Sequence, residues 1–182
     1  MPELIYEKKD VFAVFTLNRP ERLNALGVGL NQELEAAVED FNADPQMRVG
    51  ILTGAGRAFS AGMDLKEAAE RAARGESVTT PRSRAQALSG AGLFSLSPKP
   101  FIAAINGLAL GAGMERALDC DIRICSTEAY FGQPEPKRGI LAGYAIHHLP
   151  RVLGMSAANY ILLTGAHITA EQALAWGIVT EA

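Results

Sequence analysis

Glu115 and Glu135 stand twenty positions apart in a stretch that is otherwise small, apolar and glycine-rich, PFIAAINGLALGAGMERALDCDIRICSTEAYFGQPEPKRG over residues 100–139. A lone glutamate is ordinarily a solvated helix-face residue. Two of them on a small, apolar loop framework read better as a site. Paired carboxylates whose surroundings push their pKa values apart can divide proton transfer, one acting as base and the other as acid. A second glycine-rich stretch, GAGRAFSAGMDLKE, covers residues 54–67. Glycines at 62, 111 and 113 would let a ligand approach the backbone closely. Singly these glycines would pass for ordinary turns; together with the carboxylates they point to a binding site.

Other catalytic chemistries lack their signatures. The chain contains no GxxxxGKS/T, GxSxG, HExxH or CxxC pattern. Ile51–Gly56 imitates the strand-to-glycine turn of a dinucleotide fold. Ala58 and Ser60 stand where its later glycines belong, however, and no Tyr-x-x-x-Lys pair follows. Cys120 and Cys125, the only cysteines, lie in an apolar stretch and read as reduced core thiols. His147 and His148 are adjacent, which suits opposed faces better than one metal site, and with His167 they read as structural.

The elements that must carry the site are largely visible. Val11–Leu17 is a β-rich run with Leu4–Tyr6 as its hairpin partner. Leu30, Leu34, Ala37, Val38 and Phe41 recur at helical spacing, and Asp44-Pro45 ends that helix. Arg48–Thr53 reads as a buried strand, Lys66–Ala73 as a helix, and Phe101–Ile105 as a strand. A short helix opens after Gly111 and runs to about Leu118, and Ile122–Cys125 forms a further strand. Thr169 and Gln172 make a capping-box pattern, with a C-cap signal at Gly177. The polar residues 74–83 read as a mobile loop. Strands alternating with helices predict one α/β domain spanning 1–182. With 182 residues, 48% of them hydrophobic, the chain can bury a sizeable core. A formal charge of -3 offers no footprint for nucleic acid or an anionic membrane. No apolar run is long enough to span a bilayer, and the start is not that of a signal peptide, so a soluble, cytoplasmic enzyme is expected.

Three ordered pieces carry a resemblance to the crotonase (enoyl-CoA hydratase/isomerase) superfamily. They are LNRP with LNAL over residues 17–26, AFSAGMDLK over 58–66, and NGLALGAGME over 106–115 followed by FGQPE at 131–135. The likeness covers nearly the whole chain. It implies a spiral of ββα units and hydration of a trans-2-enoyl-CoA without metal or redox cofactor. By position it places oxyanion-hole donors on the N–H groups of Met63 and Ala112, each donor worth ~3 kcal/mol in such sites. It assigns water activation to Glu115, protonation of Cα to Glu135, and a water contact to the N–H of Gly143. Arg22 and Lys66 match positions that meet CoA phosphates and adenine. Ala25, Ala61 and Leu65 would line the CoA groove, with Gly113 and Pro134 bordering the substrate, and Asp64 would brace its loop through backbone hydrogen bonds.

The chain departs from the pattern in three places. Tyr144-Ala145-Ile146-His147-His148 replaces a glycine-rich segment that walls the acyl site. Ala112 takes a position that is often glycine. The sequence stops at Glu181-Ala182, before the helical C-terminal region that covers the active site and builds a trimer in the family. The resemblance therefore implies a truncated domain that exposes apolar surface and assembles as a homo-oligomer, a trimer or hexamer. Two alternatives remain: another crotonase reaction (isomerisation, or dehydration of a specialised hydroxyacyl-CoA), and a non-catalytic acyl-CoA-binding subunit.

Overall fold

A computed structural model describes residues 2–77 and 92–182. From position 78 onward the expected loop at 74–83 lies outside the described residues. The chain opens with a hairpin, β1 (Leu4–Lys9) and β2 (Phe12–Leu17), followed by helix α1 (Val28–Ala43). Strand β3 (Val49–Gly54), the short β4 (Ala58–Ser60) and α2 (Leu65–Ala73) come next. The same order recurs in β5 (Phe101–Ile105), β6 (Leu108–Leu110) and α3 (Ala112–Leu118). Strands β7 (Ile122–Cys125) and β8 (Tyr130–Gly132) repeat it and lead into a 3₁₀ turn at Glu135–Arg138 and helix α4 (Ala145–Leu153). Helix α5 (Met155–Thr164), β9 (His167–Thr169) and α6 (Ala170–Ala175) complete the chain.

Each repeat contributes one strand to each of two sheets. The first sheet has the order β1-β2-β3-β5-β7, the second β4-β6-β8-β9. Beyond the β1–β2 hairpin the first sheet is parallel, as are β4, β6 and β8 in the second. Successive ββα units therefore wind in one direction, each stacking a strand beside its predecessor in both sheets. This is the expected spiral. At the end of the chain Glu181 pairs in parallel with Ile124 of β7.

Period-two alternation explains the first sheet's core. Ala13, Phe15 and Leu17 of β2 and Phe101, Ala103 and Ile105 of β5 all point inward. Residues 49–54 also alternate, so this strand is buried on one face rather than on both. Leu30, Leu34, Val38 and Phe41 of α1 cover that face, and Phe15, Phe41 and Phe101 meet at centroid distances of 5.1–5.7 Å. The capping box at Thr169 and Gln172 starts α6.

Candidate active site

The spiral places the ends of β4 and β6 side by side in one sheet, and this brings the two glycine-rich stretches together. Gly62 has φ +91°, and a methyl group there would lie 2.7 Å from the Leu110 carbonyl oxygen and 3.1 Å from the Ala112 nitrogen. Only a glycine backbone fits this close approach. Gly113, one residue into α3, packs in the same way against the Ser60 carbonyl. The Met63 and Ala112 backbones are thus neighbours.

Among the described residues, neither the Met63 nor the Ala112 N–H is given to a protein acceptor. Met63 forms a parallel bridge to Leu26, whose bonds run from the Leu26 N–H to the Gly62 carbonyl (2.7 Å) and from the Asp64 N–H to the Leu26 carbonyl (3.1 Å). The Met63 N–H therefore faces away from Leu26. Ala112 is the first residue of α3, whose own bonding starts with the Glu115 N–H to the Gly111 carbonyl at 3.0 Å, so its N–H has no acceptor within the helix.

The loop bearing Met63 is held by a buried ionic clasp. Asp64 caps α2, accepting from the Glu67 N–H at 3.0 Å, and its other oxygen receives Arg19 and Arg22 at 2.9 Å each. Burial alone would raise the Asp64 pKa; the Glu67 N–H and the two guanidiniums outweigh it and hold the carboxyl below its usual range. Arg19 also reaches the Ala25 carbonyl at 2.7 Å and Glu3 at 3.2 Å. Arg22, Ala25, Met63, Asp64, Leu65 and Lys66 line one groove of about 340 Å³. Within it Lys66 is exposed, while Arg22 is already paired with Asp64. Ala61, half-buried, donates its N–H to the Leu23 carbonyl beside this groove.

The carboxylates arrive from two successive units. Glu115 sits one turn into α3, half-buried, and its Oε1 accepts from the Ala145 N–H at 2.9 Å. Glu135 follows Pro134 at the start of the 3₁₀ turn after β8. Gly111 has φ +53°, and a methyl group there would come within 2.8 Å of Glu135 Oε1; glycine both permits this backbone and makes room for the carboxylate. Burial, first, and the charge of Glu115 push the Glu135 carboxyl above its usual range, opposed by a backbone hydrogen bond. Glu115 thus lies close enough to bias the protonation of Glu135.

Several contributors were not visible in the sequence. Gln133, fully buried, turns its amide nitrogen to Glu135 at 3.0 Å, in the orientation that satisfies both of its ends. It belongs to the FGQPE piece, but nothing local gave it a role. The backbone N–H brought to Glu115 is that of Ala145, whereas Gly143 is exposed two residues earlier. Tyr144 donates to Asp119 at 3.2 Å and stacks on His148, with centroids 3.6 Å apart. His147 and His167 are exposed. Among the described residues, no three His, Cys, Asp or Glu side chains are grouped to hold a metal, and no helix is long and apolar enough to cross a membrane.

Two largely parallel sheets wound from ββα units, with two carboxylates beside glycine-lined backbone, define the crotonase architecture. Residues 7–182 match the family described as enoyl-CoA hydratase/isomerase, and the chain belongs to that family. It is 41% identical over 171 residues to a mevalonyl-coenzyme A hydratase of Beauveria bassiana, covering 91% of this chain and 61% of that protein. With a short-chain-enoyl-CoA hydratase of Clostridium acetobutylicum it shares 39% identity over 98% of this chain and 67% of that one. The crystal structure of an enoyl-CoA hydratase from Bacillus anthracis superposes with a TM-score of 0.87 at 34% identity, covering 98% of this chain and 69% of that one. The chain therefore spans roughly two thirds of the length of these relatives.

Proposed function

We propose that this protein adds water to a trans-2-enoyl-CoA to give the 3-hydroxyacyl-CoA. The observation that carries this reading is geometric: Gly111 makes room for Glu135 Oε1 next to Ala112, which opens the helix that carries Glu115, and Gly62 packs against the same backbone. Relatives named short-chain-enoyl-CoA hydratase and crotonyl-CoA hydratase support it.

In this mechanism the CoA moiety lies along the groove of Ala25, Ala61 and Leu65, with Lys66 and Arg22 toward its phosphates and adenine. The thioester oxygen rests between the N–H groups of Met63 and Ala112, which stabilise the charge it gathers as the enolate forms. Glu115 accepts a proton from water as the water oxygen bonds to Cβ. Glu135, whose hold on a proton burial and its neighbour strengthen, delivers a proton to Cα. Gly143 and Pro134 border the water and acyl positions. These steps run on protein groups and water, with no metal or redox cofactor.

A homo-oligomer, trimeric or hexameric, and a cytoplasmic location belong to the same proposal. Free thiols at Cys120 and Cys125 fit a reducing compartment. Exposed apolar side chains on α4–α6, Leu163 and Met155 foremost, supply a surface for assembly.

The test is loss of enoyl-thioester absorbance on incubation with crotonyl-CoA and longer enoyl-CoA esters. Glu115→Gln and Glu135→Gln should each lower kcat by ~10²–10⁴-fold. The double variant should lose much less than the product of the two, because groups serving one reaction are non-additive. Abolition by one substitution with a mild effect of the other would indicate an isomerase. CoA-ester binding without turnover would indicate a silent subunit.

A further inference from the structure

Helix α3 presents Glu115 and Asp119 four residues apart on one face, and the start of α4 grips both. The Ala145 N–H donates to Glu115 Oε1 at 2.9 Å, while the hydroxyl of the preceding residue, Tyr144, donates to Asp119 Oδ1 at 3.2 Å. Asp119 is a fixed post: it is 4% exposed and also receives the N–H groups of Phe94 (2.7 Å) and Ser95 (3.2 Å). The Tyr144 ring is held on a second side by His148 one turn later, with planes 4° apart. Burial, first, and the Asp119 charge raise the phenol pKa, so it remains a donor across the physiological range.

This hold matters because of what precedes it. Ile140, Leu141 and Gly143 are exposed, and nothing lies within 4 Å of where a Cβ on Gly139 or Gly143 would stand. Helix α4 has no side-chain cap of its own, so its first free N–H groups need outside partners. One of them, Ala145's, is spent on Glu115. Where that N–H points depends on how the first turn of α4 is anchored: buried Ala145 and Leu149 seat the helix in the core, and the Tyr144 hydroxyl ties its first turn to Asp119 at the end of α3. We propose that Tyr144, acting through the buried Asp119, is a positioning residue that sets the Ala145 N–H against the Glu115 carboxylate. The inference rests on the reading of Glu115 as the group that activates water. A carboxylate displaced by even ~1 Å from its water can cost a large factor in rate while leaving the bound ester undisturbed.

Tyr144→Phe removes the hydroxyl and keeps the ring and its stack. With crotonyl-CoA we expect kcat to fall about tenfold, with KM held within about twofold. Amide hydrogen exchange at Ala145, followed by NMR without substrate, should quicken about tenfold relative to wild type. A lower Tm with kcat and Ala145 exchange both unchanged would make Tyr144 merely structural and overturn the proposal, as would faster exchange with unchanged kcat. If the wild type hydrates no enoyl-CoA, the hydratase reading falls by itself and Ala145 exchange decides alone: quickened exchange supports the positioning role, unchanged exchange ends it.

Discussion

Glu135, the acid of the proposed reaction, should cost the fold stability at neutral pH. Its half-buried carboxyl next to Glu115 has a raised folded-state pKa, so the folded state holds the proton more tightly than the unfolded chain. The stabilising protonation is fully present below the ordinary glutamate value of ~4.3 and is lost as pH rises through the raised value. Above that window the wild type carries a penalty that a neutral glutamine does not. Glu135→Gln should therefore raise Tm at neutral pH, by on the order of 2 °C, while hydration is lost. Near pH 4 the gain should disappear. Thermal unfolding of both proteins at pH 4 and pH 7.5 checks this; an equal difference at the two pH values would count against the charge argument.

At the scale of elements, the Met63 loop depends on how α2 is tied to the 19–26 turn. Arg19 and Asp64, whose side chains are 7% and 6% exposed, are 45 positions apart and meet where the 19–26 turn runs beside the Met63 loop, bridged through Leu26 and Met63. Removing one partner of a buried pair leaves the other charge desolvated. Asp64→Ala should cost about 3 kcal/mol, at the low end for such pairs because Glu3 still faces Arg19. It also deletes the cap of α2 and frees the Met63 loop, so KM for a CoA ester should rise. Denaturant unfolding within about 1 kcal/mol of wild type would show that the clasp is dispensable. Lys66, exposed in the groove, should behave differently: Lys66→Ala should leave stability within about 0.5 kcal/mol and weaken only ester binding, read as a change in KM.

For the whole molecule, large apolar side chains stay exposed on α5. Leu163 is 74% exposed and Met155 64%, and a groove lined by Leu153, Tyr160 and Trp176 lies between α4, α5 and α6. Solution scattering should report an assembly larger than a monomer, and Leu163→Glu should shift it toward smaller species. A monodisperse wild-type monomer would remove the argument from exposed surface.

What could be read from the residues follows the range of local physical rules. Alternation along β2, helical spacing in α1, the capping box at Thr169 and the glycines at 62, 111 and 113 all act within a few positions, so the sequence by itself determined the first hairpin, β3, β5, β7, α1–α3 and the start of α6 and marked two glycine-rich loops, while the short strands β4, β6, β8 and β9 and helices α4 and α5 carried no such local signal. The ordered crotonase pieces extended this to Met63, Ala112, Glu115 and Glu135. Tertiary structure alone decided that Glu115 is met by the Ala145 N–H, that Gln133 turns to Glu135, that Asp64 takes both arginines, and that Tyr144 reaches Asp119. Apart from the local Gln133–Glu135 contact, each joins groups some 25 or more positions apart and rests on where one turn of the spiral falls against another. No local spacing rule encodes that.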